Sequence, residues 1–291
     1  MIRWILVAAI IILVLCIAEC IREIFVFKVT HYNIESEKLN SLKEQKKIIF
    51  LSDLHNFRYG KNNEKLIAAI RKENPDLILI GGDMLVGAPG RDDIPAREFV
   101  KQLVPICPIY HGKGNHEQRM EAEPEKYGVV FHEYKEAITK EGVTFLENEQ
   151  ATVSLNDCQI RICGIDLPEG CYFKFGKAIP FSVEDAINTI GQADTNNFQI
   201  LMVHNPEYAE TFAAWGADLI LSGHVHGGMI RIPGIGGVLS PQWKFFPKYS
   251  GGHQKIKDAS LVISCGIGIH TIPLRFLNPA EVIVLHLRGK E

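Results

Sequence analysis

The chain has 291 residues, of which 46% are hydrophobic and 22% are charged, and its formal net charge is −3. This composition excludes an intrinsically disordered chain and disfavours a strongly basic nucleic-acid-binding protein. The length is sufficient for one large domain or two small ones with a buried core. Eleven histidines stand out in this composition, and their positions decide the interpretation.

The chain begins with its one long apolar segment, residues 4–21, in which Glu19 is the only charged residue. As a helix this segment would be about 27 Å long, close to the roughly 30 Å hydrocarbon core of a bilayer. A cleaved signal peptide is the alternative, but no A-x-A-like cleavage site follows the segment. We therefore predict a single-pass membrane anchor over residues 1–22, with the domain that follows on the extracytoplasmic side.

The elements predicted after the anchor alternate between strands and helices. Residues 23–46 are predicted to form a connecting strand, over 24–34, and a loop. Short apolar runs predict buried strands, and helical spacing predicts the helices between them, in the order strand 47–51, helix 61–73, strand 77–80, helix 94–103 and strand 109–111. This order is typical of a layered α/β sheet.

The second half predicts more strands around one helix. Residues 143–163 have the pattern of short strands, with Asn156-Asp157 at a turn. The remaining predicted elements are a helix over 183–190 and strands over 198–203, 219–221, 261–264 and 281–287. Because no repeat or linker interrupts residues 47–291, we predict that they form a single domain.

The seven cysteines do not have the pattern of a disulfide framework or a thiolate metal site. Their number is odd, and no C-x-x-C pair occurs. We predict buried apolar thiols, with one disulfide between Cys158 and Cys163 as the alternative.

Five predicted strands end in short segments made of metal-ligand residue types. These segments are Asp53-Leu54-His55, Gly82-Asp83, Gly114-Asn115-His116-Glu117, His204 and Gly223-His224-Val225-His226. Taken singly, most of these residues would be ordinary turn residues or buried histidines, although His224 and His226 would share one face of a strand. Because loops at the carboxyl ends of strands build the sites of open α/β sheets, we predict that the five segments form one metal site.

The order of these segments resembles the calcineurin-like metallophosphoesterase superfamily, whose pattern is D-x-H, G-D, G-N-H-E/D, H and G-H-x-H. The continuation through Gly227-Gly228 and Arg231 to Phe245-Phe246-Pro247-Lys248-Tyr249 is similar to the membrane-anchored bacterial branch. The resemblance implies an α/β fold, classed as α+β in some schemes. The implied architecture is a four-layer α-β-β-α sandwich of two mixed sheets, here preceded by an N-terminal transmembrane helix.

The resemblance also implies a catalytic domain, over 47–291, with two divalent metal ions. Manganese, iron, zinc, cobalt and nickel all suit the mixed nitrogen and oxygen ligands. The implied ligands of the first ion are Asp53, His55, Asp83 and His226. Asp83 bridges to the second ion, whose other implied ligands are Asn115, His204 and His224. Two such ions carry more positive charge than the two aspartates neutralise. The remaining positive charge attracts a phosphate oxyanion.

By the same resemblance, His116 and Asp83 are the catalytic residues. His116 faces the phosphoryl group and protonates the leaving oxygen or stabilises the transition state. Many relatives place an acid three residues after the aspartate of G-D, where this chain has Val86. The candidates left to orient His116 are Asp92, Asp93, Glu117 and the backbone.

We expect a membrane-anchored hydrolase that cleaves a phosphomono-, phosphodi- or pyrophosphoester by attack of a metal-bridging hydroxide. The alternatives are a UDP-diacylglucosamine-type lipid-precursor pyrophosphatase, which the resemblance to anchored relatives brings in, a nucleotide or nucleic-acid phosphodiesterase, and a catalytically silent binding scaffold. The expected partners are a phosphoester, including lipid-linked ones, and the membrane through the N-terminal helix. The charge balance predicts no stable nucleic-acid partner.

Substrate choice is expected to depend on segments 84–97, 118–133 and 227–252, which flank the predicted metal ligands. Within them, the candidate substrate-binding residues are Arg231, Lys248 and Tyr249. The histidines outside the five segments are predicted to be structural, and they are His31, His111, His132, His253, His270 and His286.

Overall fold

The computed structural model describes residues 1–269 and 272–290. Its first element is helix α1, Ile2–Ile24. This helix is long and apolar enough to cross a membrane, with a mean hydropathy of 2.9 over its most apolar window, and none of that window is buried. The apolar side chains of α1 therefore have no protein core to pack against.

The remaining helices are short and lie between the strands. They are α2 Glu64–Glu73, α3 Ile94–Leu103, α4 Asn115–Ala122, α5 Pro124–Tyr127, α6 Val130–Lys140, α7 Val183–Ile190 and α8 Ala209–Trp215. The strands are β1 Phe27–Ser36, β2 Lys46–Leu51, β3 Leu77–Ile80, β4 Ile109–Gly112, β5 Thr144–Leu146, β6 Glu149–Leu155, β7 Cys158–Ile165, β8 Phe198–Val203, β9 Leu219–Ser222, β10 Arg231–Ile232, β11 Gly236–Gly237, β12 Gly252–Ile256, β13 Ala259–Ile263 and β14 Ala280–Gly289.

Twelve of these strands form two six-stranded mixed sheets. The first has the order β1-β14-β2-β3-β4-β5, and the second has the order β12-β13-β9-β8-β7-β6. Strands β2, β3 and β4 are mutually parallel, and so are β9, β8 and β7. In each sheet the carboxyl ends of neighbouring parallel strands therefore meet at one edge. Strand β1, from the segment predicted as a connector, pairs along its whole length with β14.

The sheets pack face to face, with helices covering their outer faces. In β2, Ile49 and Leu51 belong to the core shared with α2, α3 and α6, whereas Ile48 and Phe50 belong to the core between the sheets. A third core joins the second sheet to α7 and α8. Both faces of β2 are buried, which explains its uninterrupted apolar sequence. The predicted four-layer α-β-β-α sandwich is confirmed.

The elements that the sequence did not predict are mainly helices. Helix α4 has the sequence NHEQRMEA, which is polar and lacks a clear apolar stripe. Helix α6 does carry such a stripe, with Phe131, Tyr134 and Ile138 buried on one face, so its pattern was detectable.

The cysteines are all free, and those at 158, 163, 171 and 265 are buried. The alternative of a disulfide between Cys158 and Cys163 is wrong. Both residues lie on β7, where Cys158 pairs with Leu155 and Cys163 pairs with Gln150. Four residues of extended strand lie between them, which is farther than one disulfide can span.

Candidate metal centre

The five predicted segments meet where the carboxyl edges of the two sheets face each other. Strands β2, β3 and β4 lead into the segments that begin at Asp53, Gly82 and Gly114, and β8 and β9 lead into His204 and Gly223. Each sheet thus contributes loops from one edge to the same place. Six of the seven predicted ligands are buried, from the fully buried Asp53 to His224 and His226, which are 7% exposed, and Asn115 is half-buried.

Asp53, His55 and His226 form the first of three clusters, and the third, His55, Asp83 and His116, overlaps the other two. Their ligand-type atoms all lie within 4.8 Å of one another. His55 Nε2 is 3.0 Å from His226 Nε2, which is in turn 3.2 Å from Asp53 Oδ1. Two ring nitrogens and a carboxylate oxygen therefore converge on one point.

Asp83, His204 and His224 form the second cluster, also with their ligand-type atoms within 4.8 Å of one another. Asp83 Oδ2 is 3.1 Å from His204 Nε2 and 3.9 Å from His55 Nε2. The Asp83 carboxylate therefore lies between the two clusters. This is the position that a bridging ligand requires.

Three donor atoms around Asp83 test whether these residues suit a metal ion. Asn115 Oδ1, His204 Nε2 and His224 Nε2 are buried, and none has a hydrogen-bond partner among the residues that the structure describes. Buried polar atoms normally have partners, and an ion that accepts their lone pairs would supply one. An amide oxygen, imidazole nitrogens and carboxylates are a donor set for divalent transition metals, so the residues fit such ions.

A hydrogen bond holds the Nδ1 atom of His204 in a way that also suits metal binding. Its Nδ1 is 2.8 Å from the carbonyl oxygen of Gly81, to which it donates. Nδ1 therefore carries a proton, and Nε2, which faces Asp83, is the ring nitrogen left for a metal ion. A backbone carbonyl that fixes the tautomer and orientation in this way is typical of metal-binding histidines.

The charges of the centre favour a cation. Burial alone would raise the pKa of Asp53 and Asp83, but the surrounding imidazoles, chiefly His226 and His204, hold both well below the usual range. Burial alone would lower the pKa of His204, yet Asp83 and Asp53 raise it to about 10. His224 stays neutral, because burial and the neighbouring His204 lower its pKa to about 3. Two ionised carboxylates therefore face a buried space that attracts positive charge.

Backbone strain occurs at five of the candidate ligands. Those with left-handed φ are Asp53 at 58°, His55 at 47°, Asp83 at 53°, His224 at 68° and His226 at 48°. Such conformations are uncommon for residues other than glycine and cost of order 1–3 kcal/mol each. Sites where strain clusters in this way are commonly functional, because the surrounding structure must be built to maintain it.

The glycines of the segments allow the loops to approach one another. A Cβ atom on Gly114 would overlap Asp83 Oδ1, and one on Gly223 would overlap Ser52 Oγ and Asp53 Oδ2. A side chain at either position would displace a carboxylate of the centre. The two glycines are therefore part of the construction of the site.

His116 is oriented by the backbone. The N–H of Gly87 donates to His116 Nδ1 at 2.8 Å, and His116 Nε2 lies 3.9 Å from Asp83 Oδ2. Because Nδ1 accepts a hydrogen bond, the ring proton of neutral His116 is on Nε2, which points into the centre. Of the candidates left by the sequence, Asp92 accepts from Ile94 N and Asp93 pairs with Arg97, so neither holds this ring.

Glu117 has a supporting role that the motif did not reveal. Its buried carboxylate accepts from the backbone N–H groups of Asp83, Leu85 and Gly114, at 2.8, 2.9 and 3.0 Å. One side chain therefore ties the loop after β3 to the loop after β4. Its presence in the G-N-H-E segment was the only signal in the sequence.

Arg275 is a second supporting residue, and the sequence carried no signal for it. It is 2% exposed, and its guanidinium donates to the carbonyl oxygens of Cys265, Gly266, Gly268 and Asn278. The side-chain amide of Asn278 donates to His226 O at 2.7 Å. Arg275 therefore holds the loop after β13 against the segment that carries His226.

The three predicted substrate-binding residues contact groups other than the candidate ligands. Arg231 donates to the carbonyl oxygens of Gly227 and Ser250, at 3.2 and 3.0 Å. Lys248 forms an ion pair with Glu210, whose carboxylate also accepts from the hydroxyl of Tyr249. Arg231, Lys248 and Tyr249 do not line the cleft described below, within the part of the chain that the structure covers.

A cleft of about 700 Å³ opens above the two clusters. His116, Asn115, His224 and His226 are at its base, and parts of the segments predicted to govern substrate choice form its walls. Basic side chains come from Arg91, Arg119 and Lys174, and aromatic ones from Tyr172, Phe173 and Trp243. The cleft is large enough for a phosphate group together with the organic groups that it joins.

The histidines predicted to be structural include one fully buried ring in the core. His111 contacts the carbonyl oxygen of Gly112 through Nδ1 and the hydroxyl of Tyr134 through Nε2. His31 and His286 contact each other on β1 and β14, the two strands at one edge of the first sheet. His270 lies outside the described residues.

Comparison with known proteins identifies one family. The family model described as calcineurin-like phosphoesterase matches residues 46–228. The uncharacterized protein YpbG of Bacillus subtilis is 31% identical over 246 residues, which cover 84% of this chain and 82% of YpbG. Phosphodiesterase YaeI of Escherichia coli is 28% identical, covering 83% of this chain and 82% of YaeI.

A vertebrate protein extends the comparison to membrane proteins. The transmembrane protein with metallophosphoesterase domain of Danio rerio is 25% identical, over 90% of this chain and 57% of that protein.

Proposed function

This chain belongs to the calcineurin-like phosphoesterase family and is a metal-dependent hydrolase, and from that premise we propose that it cleaves a phosphoester with two divalent ions. The observation that carries the proposal is the position of Asp83 between two ligand clusters, beside three buried donor atoms without hydrogen-bond partners. A single ion would leave one of the clusters unused.

The proposed ligand sets follow the two clusters. One ion would be held by Asp53, His55, Asp83 and His226, and the other by Asp83, Asn115, His204 and His224. When bound, the ions supply Lewis acidity toward the phosphoryl oxygens and lower the pKa of a water molecule. The chain supplies rigid placement, because burial and backbone hydrogen bonds hold Asp53, Asp83 and His204 in position before the substrate arrives.

His116 is proposed to stabilise the departing oxygen. Its Nε2–H points into the base of the cleft, and the Gly87 N–H holds the ring from behind. Because Nδ1 accepts from Gly87, the neutral ring keeps its only proton on Nε2 and donates it as a hydrogen bond to the departing oxygen. The leaving group takes its proton from water and departs as a neutral alcohol.

The substrate is proposed to be an organic phosphoester that fills the cleft beyond its phosphate. Lys174, Arg91 and Arg119 can meet further anionic groups, and Phe173 and Trp243 can meet apolar or planar ones. A lipid-linked phosphoester, including the pyrophosphate of a lipid precursor, is the second candidate. Its support is the apolar helix α1, which we propose to be a membrane anchor preceding a catalytic domain over residues 47–291.

The proposal is tested with the full chain in detergent, stripped of metal and then reloaded with Mn²⁺. Hydrolysis of an aryl phosphodiester should require the metal, and Asp83→Asn should lower kcat on the order of 10³-fold, because it removes the bridging charge. Metal analysis should give two ions per chain for the natural protein and fewer for Asp83→Asn. Asp258→Asn, in the exposed turn between β12 and β13, is the matched control and should change neither quantity. Full activity in Asp83→Asn would refute the two-ion centre.

The role of His116 has a separate test in the choice of leaving group. His116→Ala removes the Nε2–H donor, so cleavage of an alkyl ester, whose departing oxygen carries the most charge, should fall by about 10²-fold. An aryl ester with a good leaving group should lose much less, and metal content should not change. An equal loss for both esters would show that His116 does not stabilise the departing oxygen.

A further inference from the structure

Large apolar side chains are exposed in three segments beside the cleft, outside α1. The segments are 173–175, 232–246 and 272–277, which we call the apolar rim. Phe175 is 69% exposed, Ile235 is 66% exposed and Phe245 is 72% exposed. Single exposed apolar residues are ordinary on protein surfaces, but a contiguous group marks a contact with a membrane or a partner.

Direct contacts join the three segments into one surface. Phe175 N donates to Gln242 O at 3.1 Å, and the rings of Phe175 and Trp243 stack with centroids 6.2 Å apart. Arg231, directly before the second segment, donates from its backbone N–H to Phe276 O at 3.0 Å and so places that segment beside the third. The apolar rim is therefore continuous from 173–175, through 232–246, to 272–277.

Helix α1 ends at this same surface. The backbone N–H of Asn278, next to the exposed Leu277, donates to Glu23 Oε2 at 2.7 Å. Phe25, directly after α1, is 65% exposed and its ring lies 6.2 Å from that of Phe57. A bilayer that surrounds α1 would thus begin beside the apolar rim. For this reason the bilayer, rather than a soluble protein, is the partner that would cover the rim.

The charges beside the apolar rim suit a lipid interface. Lys174 and Lys177 are exposed and alternate with the exposed Phe173 and Phe175 in the sequence Phe173-Lys174-Phe175-Gly176-Lys177. Aromatic side chains that enter the headgroup region, flanked by lysines that meet lipid phosphates, are the usual composition of an interfacial contact.

We infer that the apolar rim inserts into the interface of the bilayer that holds α1, as a second membrane contact that turns the cleft toward the lipid surface. The inference rests on the proposed function only in taking α1 as a membrane anchor. Trp243 and Ile272 belong both to the rim and to the wall of the cleft. The entrance of the cleft therefore adjoins the headgroups.

The test places an environment-sensitive fluorophore on single cysteines of the full chain in phosphatidylcholine–phosphatidylglycerol vesicles. One label is at Phe245→Cys, in the rim, and its matched control is at Val129→Cys, an apolar residue that is 58% exposed but lies outside the rim. A third label, on native Cys16, reports on α1. In each chain, the other cysteines among Cys16, Cys20 and Cys107 are replaced by alanine, because these three are only half-buried.

Nitroxide-bearing lipids should quench the Phe245→Cys label at least about threefold more than the Val129→Cys label, since only the former enters the interface. Wild-type hydrolysis of a soluble aryl phosphodiester by each labelled chain shows that it is folded. Quenching at Cys16 together with equal, low quenching at the other two positions would overturn the rim contact and leave the anchor intact. A Cys16 label that escapes quenching would overturn the anchor and the rim contact together.

Discussion

The base and the wall of the cleft are built in contrasting ways. At the base, the seven candidate ligand side chains follow regular strands, and all but the half-buried Asn115 are buried. Backbone hydrogen bonds hold several of them, such as the one that His204 Nδ1 donates to Gly81 O. The wall consists of irregular segments with exposed aromatic residues such as Phe173 and Trp243, at 46% and 45%. The difference separates the chemistry from the choice of substrate, because only the base requires fixed positions to a fraction of an ångström.

The strongest test of this contrast is a methyl group placed in the base. Gly114→Ala would put a Cβ on top of Asp83 Oδ1, so we expect kcat to fall at least about 100-fold. Metal content should fall with it. Gly112→Ala is the matched control two residues earlier, where a Cβ would meet Met202 Cβ at an ordinary 3.4 Å.

Activity and metal content, measured on both variants with the same aryl phosphodiester, decide the outcome. Gly112→Ala should keep both within about twofold. If Gly114→Ala also kept both, the base would tolerate displacement of the Asp83 carboxylate. The base would then not differ from the wall in its need for fixed positions.

The second test removes a support of the base without touching a ligand. Glu117→Gln replaces a carboxylate that accepts three backbone N–H groups with an amide that has one acceptor oxygen. We expect the free energy of unfolding to fall by about 2 kcal/mol, because buried N–H groups lose their partner. Urea denaturation of the metal-free full chain in detergent measures this change. Since burial and Asp83 raise the pKa of Glu117, the comparison belongs at mildly alkaline pH.

Glu125→Gln, on the exposed face of the short helix α5, serves as the control for Glu117→Gln. It should leave the unfolding curve in place. A shift of equal size in both variants would mean that the Glu117 bonds to the loops after β3 and β4 contribute nothing specific.

The smallest effect is expected in the wall. Trp243→Ala should lower kcat/KM for bulky phosphoesters by roughly fivefold while kcat for a small ester and the metal content stay unchanged. Val129→Ala, outside the cleft, should alter none of these values. If Trp243→Ala lost activity equally on small and bulky esters, the wall would take part in the chemical step rather than only in the choice of substrate.

The strand ends could be located from the sequence because burial leaves a local signature. The run 47–51 is apolar throughout since β2 is covered on both faces, and the turn after it begins at Asp53. Helix α4 could not be found in this way, because its sequence is polar and its position depends on contacts with the base. The orientation of His116 was equally hidden, since its partner is a backbone N–H, that of Gly87, which any residue other than proline could provide.

The sequence by itself determined the family, the strand order along the chain, and the five segments that supply the candidate ligands. Only the tertiary structure decided that Asp83 and His204, from different sheets, lie 3.1 Å apart, and that Arg275 and Glu117 hold the loops around them. The tertiary structure also showed that Arg231, Lys248 and Tyr249 do not line the cleft. The physical reason is the separation along the chain of the residues that make each contact. Periodicity and turn residues record the local environment of each segment, whereas contacts between sheets depend on packing across more than a hundred residues of chain.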